Sequence, residues 1–320
     1  MPGHTIARDA VRSALVVDGL HPVVRERRQK LMGGTGAIVL VGGTEELLAA
    51  CFALADRCES AWSRFLPDSD LSRLNRANGQ PTAVDPLTVL LLNAMLEGAR
   101  LTGGEFNPTI LPDLIEAGYA ASTVDSTRVT VLPPGARTAS GLRFTQSDGL
   151  VALPAHMAID PGGIGKGLAA DLVVDFALEH GAWGALAEFG GDVVAAGEAP
   201  TENGWTVAVE NAGDDTESAA TMRLARGAIV TSSQARRRWT IGTQTRHHLI
   251  DPRTGRSAAT PVQTATVVAA TGARAEVLAK SAFLRDAADY LAWLPTVGGA
   301  ALLLLDDGET MESENWGIYR

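Results

Sequence analysis

Helical spacing of apolar side chains marks three segments of the chain. Residues 45–62 (EELLAACFALADRCESAW) repeat apolar positions every three or four residues, and acidic residues near the start favour a helix N-terminus there. Residues 86–102 and 168–180 show the same period, and they are followed by Gly103 and Gly181, a residue type that commonly ends helices. The pattern therefore predicts a helix over each of these three ranges.

Short apolar runs between turn residues predict strands in the rest of the chain. They cover residues 37–41, 184–189, 205–210, 226–231, 264–270 and 300–306. Turns join these runs more often than helices do, which favours a layered α+β domain over a doubly wound parallel sheet. Because no low-complexity linker or fixed-period repeat interrupts the pattern, we treat residues 1–320 as a single domain whose first ~30 residues form a peripheral extension.

The net charge of the chain limits the classes of partner that it can bind. The 320 residues carry a net charge of -10, which argues against nucleic acid or an anionic membrane as the main partner. A local basic pocket for a phosphorylated ligand is compatible with that charge. No apolar run is long enough to span a bilayer, and the first residues lack the features of a secretory signal.

The cysteine positions indicate the redox state of the chain. Cys51 and Cys58 lie seven residues apart in a predicted helix, which separates them by roughly 10 Å along its axis. A disulfide requires a closer approach, so we predict two reduced core thiols. Reduced thiols and the lack of a secretory signal together predict a cytoplasmic location.

The segment DPGGIGKGLAAD (residues 160–171) carries the densest chemical signal. Glycines surround Lys166 just before a helix start, where free backbone N–H groups and the helix dipole favour a phosphate. The segment is not a Walker A loop, because no glycine stands five residues before Gly165 and Gly167 follows the lysine. It also lacks the third glycine of a dinucleotide-binding fingerprint. A tight turn with a solvated lysine is the alternative interpretation.

Three further segments place polar residues at strand ends. EFGGD (188–192) puts Asp192 after two glycines, where it could be a metal ligand, a base or a turn residue. IVTSSQARRR (229–238) combines hydroxyls with arginines, which suits either phosphate oxygens or a solvated surface. HHLIDPRTG (247–255) holds two adjacent histidines. Since neighbours on a strand point to opposite faces, one of the two is expected to face a pocket.

Two segments have an ordinary local interpretation. In SRFLPDSDLSRLN (63–75), Ser69 or Asp70 could cap a short helix. In AEVLAKSAFL (275–284), Glu276 precedes Lys280 by four residues, the spacing and order of a favourable exposed ion pair on a helix.

In chain order, these segments resemble the ApbE family, the FAD:protein FMN transferases. The matching blocks are LMGGT (31–35), SRFLPDSDLSRLN, TGGEFNPTI (102–110), DPGGIGKGLAAD, EFGGD, IVTSS, HHLIDPRTG and AEVLAK. Their common order along nearly the whole chain makes a chance match implausible.

The resemblance implies an activity and a fold. Family members bind FAD and transfer its FMN half to a threonine or serine hydroxyl of a target flavoprotein, releasing AMP. The implied partner is therefore an acceptor protein or domain with a Ser/Thr flavinylation motif. The implied fold is a single α+β domain of two related halves, with mixed or antiparallel sheets and helices, and with the flavin cleft between the halves.

The resemblance also assigns roles to residues. The implied catalytic residues are His248 as the base for the incoming hydroxyl, Lys166 as a phosphate partner, and Asp192. Phe65 stands where the family often has an aromatic residue against the isoalloxazine ring. The implied FAD-binding residues are Phe65, Ser69, Glu105, Asn107, Gly163, Lys166, Gly190, Gly191, Thr231, Ser232, His248 and Lys280.

This chain departs from the family pattern in three respects, the first being that it shows no lipoprotein signal of the kind many members carry, which predicts an acceptor that faces the cytoplasm. Asn107 replaces the usual aspartate, and Glu276 and Lys280 stand where the family has a carboxylate and a hydroxyl that hold Mg²⁺ on the FAD diphosphate. A protonated lysine cannot be a metal ligand. Either Lys280 takes the place of the cation while Glu276 orients it, or Glu276 remains a metal ligand and Lys280 contacts a phosphate oxygen. We favour the first interpretation.

Two other functions are compatible with these residues. Water could replace the acceptor hydroxyl, which would make the protein an FAD pyrophosphatase that yields FMN and AMP. The altered cation site could also bind FAD without activating it, which would make the chain a non-catalytic flavin-binding protein.

Overall fold

The computed structural model of the protein describes residues 22–211 and 214–320. Residues 1–21, which make up most of the predicted N-terminal extension, lie outside the described residues. Within the described part of the chain, no helix combines the length and the apolar character needed to cross a membrane.

Helices form where the apolar period predicts them, and shorter ones are added between them. In chain order they are α1 (Glu45–Trp62), α2 (Asp70–Arg76), α3 (Pro86–Leu101), α4 (Leu111–Glu116), α5 (Gly165–Glu179), α6 (Gly272–Ser281) and α7 (Ala287–Trp293). The side chain of Thr44 caps α1 by accepting the N–H of Leu47. Helix α5 begins at Gly165, three residues before the predicted start, because its first three residues (GKG) contain no apolar side chain that would mark them in the sequence.

The strands confirm the predicted runs, with ends that differ by a few residues. In chain order they are β1 (Val24–Leu31), β2 (Gly34–Val41), β3 (Thr82–Ala83), β4 (Thr145–Ser147), β5 (Leu150–Ala152), β6 (Gly184–Phe189), β7 (Asp192–Gly197), β8 (Trp205–Asn211), β9 (Asp214–Leu224), β10 (Gly227–Ser233), β11 (Arg238–Ile241), β12 (Gln244–His247), β13 (Ile250–Asp251), β14 (Arg256–Ser257), β15 (Val262–Ala269), β16 (Ala300–Leu305) and β17 (Thr310–Glu312).

The described residues form one eight-stranded sheet in the order β1-β2-β6-β7-β10-β15-β16-β17, and every neighbouring pair in it is antiparallel. Helices α1, α3, α5 and α6 pack on one face and enclose the main core. The β8–β9 hairpin and Trp316 cover the other face. The architecture is the predicted α+β class. The division into two related halves stays a prediction.

Both cysteines belong to the main core, as predicted. Cys51 and Cys58 are buried and unpaired. Burial raises the pKa of the Cys51 thiol to about 11 and that of the Cys58 thiol to about 12. Both side chains therefore remain protonated, unreactive thiols at neutral pH.

Candidate active site

The site is built where the first turns of α5 and α6 meet with no side chain between them. A Cβ atom at Gly167 would lie only 2.3 Å from the carbonyl oxygen of Gly272. One turn further along α5, the Asp171 carboxylate accepts the N–H groups of Gly272 at 2.6 Å and Ala273 at 2.9 Å. This carboxylate caps α6 and fixes its start against α5.

Glu276 uses both of its carboxylate oxygens to join the two helices. Its Oε1 atom accepts a hydrogen bond from Lys166 Nζ at 2.9 Å, and its Oε2 atom accepts the backbone N–H of Gly167 at 2.9 Å. The residue is 1% exposed. A carboxylate of the protein therefore takes the anion position at the helix start that the sequence assigned to a phosphate.

A tight hairpin turn brings Asp192 to the same lysine. Gly190 and Gly191 join β6 to β7 with φ angles of 63° and 92°, a left-handed turn geometry that favours glycine. Asp192 begins β7 and accepts a hydrogen bond from Lys166 Nζ. The turn interpretation of the two glycines is therefore correct, and Asp192 is also part of the charged cluster.

The charges of this cluster change the pKa values of its members. Burial raises the pKa of Asp192 to about 6, although the neighbouring Lys166 charge acts in the opposite direction. Burial alone would lower the pKa of Lys166, but the charges of Asp192 and Glu276 outweigh it and raise that pKa. Lys166 is thus a permanent cation between two carboxylates.

Lys280 does not pair with Glu276. Its Nζ atom donates to Ser232 Oγ at 2.7 Å, while the Glu276 carboxylate turns toward α5. The ordinary interpretation of the segment as an exposed ion pair is therefore wrong, because Glu276 is buried and Lys280 is half-buried. Burial lowers the pKa of Lys280 and the Lys166 charge adds to that effect, while the charges of Glu276 and Asp192 act in the opposite direction.

His248 is the histidine that faces a cavity, and His247 is turned into the fold. The Nε2 atom of His247 lies 3.2 Å from the carbonyl oxygen of Ala258, and its Nδ1 accepts the N–H of Leu249. Among the described residues, the buried Nδ1 of His248 has no hydrogen-bond partner. Burial lowers the pKa of His248 well below its usual value, and the Lys280 charge adds to this. The imidazole is therefore neutral at neutral pH and able to accept a proton.

Two cavities meet at this cluster. The larger one, of about 630 Å³, has Lys166 in its lining. The smaller one, of about 60 Å³, is lined by Lys280 and His248. Both cavities are lined by Tyr119, Asp160, Gly162 and Arg237, which we call the shared wall.

Aromatic rings line the larger cavity around a buried arginine. The Arg64 guanidinium lies 4.1 Å from the ring centre of Phe65 and 4.7 Å from that of Tyr119. Its Nε atom pairs with Asp160 at 2.8 Å. Phe65 is thus placed at a cavity, as its assignment requires. The sequence pattern does not indicate a role for Arg64 or Tyr119, because the two lie 55 residues apart and Tyr119 stands in a connecting segment without any periodic pattern.

Comparison with known proteins decides the family. The sequence model of the ApbE family matches residues 32–303. The chain belongs to the ApbE family. An FAD:protein FMN transferase of Treponema pallidum (strain Nichols) is 28% identical over 255 residues, which cover 74% of this chain and 70% of that protein. An FAD:protein FMN transferase of Chlamydia trachomatis serovar D is 27% identical over 210 residues, 62% of each chain.

Solved ApbE structures share the fold. The crystal structure of the ApbE protein from Thermotoga maritima MSB8 matches with a TM-score of 0.81 at 25% identity, over 93% of this chain and 99% of that one. The flavin transferase ApbE from Vibrio cholerae matches with a TM-score of 0.75 at 22% identity, over 93% of this chain and 100% of that one. The α+β prediction is therefore confirmed.

One residue assigned from the ApbE resemblance lies on the wrong side of the sheet. Alternate residues of β10 face opposite sides, and Ser232 reaches Lys280 on the side covered by helices. Thr231 therefore faces the other side, where its Oγ1 lies 3.0 Å from Thr266 Oγ1. Thr231 lines neither of the two cavities, so the structure does not support its assignment to FAD.

Ser69, a second residue assigned to FAD from the ApbE resemblance, has a structural role instead. The Ser69 hydroxyl accepts the N–H of Ser72 at 3.0 Å and donates to the carbonyl oxygen of Ser63 at 2.7 Å. It is 2% exposed and lines neither cavity. Ser69 is therefore the cap of α2, the ordinary interpretation of its segment, and the structure does not place it against a ligand.

Three other assigned residues line the smaller cavity: Glu105, Asn107 and Gly163. Glu105 is bound by Arg285 at 2.8 Å. The Asn107 amide accepts the N–H of Thr109 and donates its own N–H to the carbonyl oxygen of Ala139 at 2.8 Å. An ionised carboxylate could not donate this hydrogen bond, which explains in structural terms why this chain has asparagine at position 107.

The residues around Glu276 do not fit the Mg²⁺ that the family pattern implies. Mg²⁺ requires several oxygen ligands in near-octahedral geometry. Both oxygens of Glu276 are already bonded, Asp192 is bonded to Lys166, and a second ammonium stands at Lys280. Across residues 22–211 and 214–320, no three His, Cys, Asp or Glu side chains are grouped to hold a metal ion.

Proposed function

We propose that this protein binds FAD and transfers its FMN half to a serine or threonine hydroxyl of an acceptor protein, releasing AMP. Membership of the ApbE family supports the proposal, as do the relatives from T. pallidum and C. trachomatis, which are FAD:protein FMN transferases. The observation that carries it for this chain is a histidine, His248, that lines a cavity beside a second, larger one and whose buried Nδ1 has no hydrogen-bond partner among the described residues.

The larger cavity suits a ring-bearing half of a ligand, and the smaller one, at about 60 Å³, has room only for a few atoms of a charged link and an incoming hydroxyl. The larger cavity has the volume of an ordinary small-molecule site, and the rings of Phe65 and Tyr119 in its lining offer faces for a flat ring system. Arg237 in the shared wall is a guanidinium donor of the kind that binds phosphate oxygens. FAD has both parts, since a diphosphate joins its two ring-bearing halves.

The proposed chemistry is one phosphoryl transfer. The acceptor oxygen forms a bond to the FMN-side phosphorus, and the bond from that phosphorus to the bridging oxygen breaks. The bonding pair leaves with AMP, and the hydroxyl proton passes to the imidazole of His248. Such a reaction depends mainly on positioning and on stabilising negative charge, tasks for which the cluster offers Lys166, Lys280 and Arg237.

The experiment that tests this function uses FAD and a small acceptor domain carrying a Ser/Thr flavinylation motif. Covalent flavin fluorescence on the denatured acceptor, together with free AMP, is the expected result. Free FMN and AMP with an unmodified acceptor would show a pyrophosphatase instead. Unchanged FAD bound to the protein would show a flavin-binding protein without turnover. Either of the last two outcomes would contradict the proposal.

A further inference from the structure

The feature that separates this site from a magnesium site is the direction of its polar bonds. The carboxylates of Asp192 and Glu276 point at Lys166 and at the N–H of Gly167, so their bonded oxygens face protein donors. An added divalent cation would have to displace a lysine ammonium from between two buried carboxylates. It would also lie beside the ammonium of Lys280, which repels it.

A hydrogen bond to Ser232 fixes the orientation of the Lys280 side chain. The Ser232 hydroxyl accepts one of its three N–H donors at 2.7 Å, and no further partner is recorded for it among the described residues. The two N–H donors that remain are available to a ligand, because Lys280 lines the smaller cavity. A hydroxyl is a weaker partner for an ammonium than a carboxylate, which leaves the charge of Lys280 less compensated than that of Lys166.

The space beside Lys280 is kept open by glycine. A Cβ atom at Gly163 would lie 3.4 Å from Cε of Lys280 and 3.0 Å from the Phe106 ring. His248 and Arg237 line the same small cavity. The imidazole of His248, the ammonium of Lys280 and the guanidinium of Arg237 therefore line one small volume.

We propose that Lys280 supplies the positive charge that a divalent cation would otherwise bring to the FAD diphosphate, so that FAD binding and FMN transfer proceed without any divalent metal. This inference rests on the proposed transferase function. Its ammonium donates to oxygens of the diphosphate and stabilises the negative charge that develops on the departing AMP phosphate. The atoms that move are those of the phosphoryl transfer described above, and no co-reactant is added.

The role of Glu276 differs from the one that the sequence suggested. Glu276 does not orient Lys280, because its oxygens are bonded to Lys166 and Gly167. Ser232 orients Lys280 instead. Lys166 and its two carboxylates carry one positive and two negative formal charges, and Lys280 is the cation that lines the smaller cavity.

The first part of the test measures metal and FAD binding without any reaction. Paramagnetic resonance of Mn²⁺ reports bound metal, and quenching of flavin fluorescence reports FAD affinity in chelator and in excess Mg²⁺. We expect no Mn²⁺ bound to the FAD-loaded protein and the same FAD affinity in both buffers. One Mn²⁺ bound per protein, or an FAD affinity that requires Mg²⁺, would overturn the inference.

The second part measures FMN transfer to an acceptor in the same two buffers. Equal transfer in chelator and in Mg²⁺ supports the inference, and transfer that occurs only in Mg²⁺ overturns it. Absence of transfer in both buffers would refute the proposed function. In that case the Mn²⁺ and FAD binding measurements still decide whether Lys280 replaces a metal.

Variants assign the effect to Lys280. We expect Lys280→Met to weaken FAD binding by about tenfold to a hundredfold, the value of a charge-assisted hydrogen bond, with no recovery in Mg²⁺ and partial recovery in Lys280→Arg. The matched control is Arg226→Met, which removes one positive charge from an exposed pair with Asp175. FAD affinity that is unchanged in Lys280→Met, or restored there by Mg²⁺, would contradict the inference.

Discussion

The Nζ atom of Lys166 lies 2.9 Å from Oε1 of Glu276, across 110 residues of sequence. The bond joins the first turn of α5 to the middle of α6, and it sets the ammonium that lines the larger cavity. The sequence placed Lys166 in a turn before one helix and Glu276 on another helix, and the bond between them is the connection on which the geometry of the site depends.

Removing the charge of Glu276 should destabilise the fold. In Glu276→Gln, Lys166 loses one of its two buried carboxylate partners, and we expect a loss of about 3 kcal/mol in the free energy of unfolding. Denaturant titration followed by circular dichroism measures it. The exposed Glu314→Gln is the matched control and should change the same quantity by less than about 0.5 kcal/mol. Equal stability of the two variants would show that the connection carries little energy.

A methyl group between α5 and α6 should separate them. In Gly167→Ala the new Cβ would meet the backbone of Gly272 at 2.3 Å, which a rotamer change cannot relieve. We expect a loss of about 3 kcal/mol in unfolding free energy, the upper end for overpacking, together with weaker FAD binding. Gly141→Ala is the control, since nothing lies within 4 Å of its Cβ position. An unchanged midpoint of unfolding for Gly167→Ala would contradict the packing described above.

Loss of the imidazole should affect the rate more than the binding of FAD. In His248→Ala the acceptor hydroxyl loses its base, and we expect FMN transfer to slow by about 10²- to 10⁴-fold, while FAD affinity changes little. Single-turnover transfer and fluorescence titration separate the two quantities. The exposed His180→Ala should transfer at the normal rate. Transfer at the normal rate in His248→Ala would remove the histidine from the mechanism.

The protonation of His248 can be observed directly. Its pKa lies well below its usual value because burial and the Lys280 charge disfavour the imidazolium. The neutral form is therefore complete above that lowered pKa, and the side chain should remain neutral at pH 6.5, where an unperturbed imidazole is about half protonated. Nitrogen chemical shifts of the ring measure this. Half protonation of His248 near pH 6.5 would contradict the described surroundings.

The thiols of Cys51 and Cys58 should not react with alkylating reagents in the folded protein. Cys58 lines the larger cavity, yet burial raises its thiol pKa to about 12, and that of Cys51 to about 11. We expect no alkylation by iodoacetamide at neutral pH until the protein is unfolded in denaturant, when both cysteines should react. Mass spectrometry counts the labels. Rapid labelling of Cys58 in the native protein would show an open and reactive thiol.

The sequence predicts those parts of the fold in which polarity differs between faces. The helix over residues 45–62 is found with the predicted ends, because one side of α1 packs in the core and the other faces solvent. Two adjacent histidines could be assigned to opposite sides for the same reason, and His248 does line a cavity.

For a strand that is buried on both sides, the sequence does not predict which residues face which side of the sheet. Strand β10 packs under helices on one side and under the β8–β9 hairpin on the other, so its apolar residues (228–230) and its hydroxyl residues (231–233) each follow one another without alternation. Nothing in its sequence shows that Ser232 faces the site and Thr231 faces away. Arg64 and Tyr119 were missed for a different reason, since their association depends on chain segments 55 residues apart.

The most direct measurement of the central claim is the ratio of AMP released to flavin attached to the acceptor. Transfer of FMN to a hydroxyl predicts one AMP for each covalent flavin at every time point, and no AMP when the acceptor is omitted. The amounts are obtained by chromatography of nucleotides and by mass spectrometry of the intact acceptor. AMP that accumulates without acceptor, or in excess of the attached flavin, would contradict the account, because water would then be the substrate that attacks FAD.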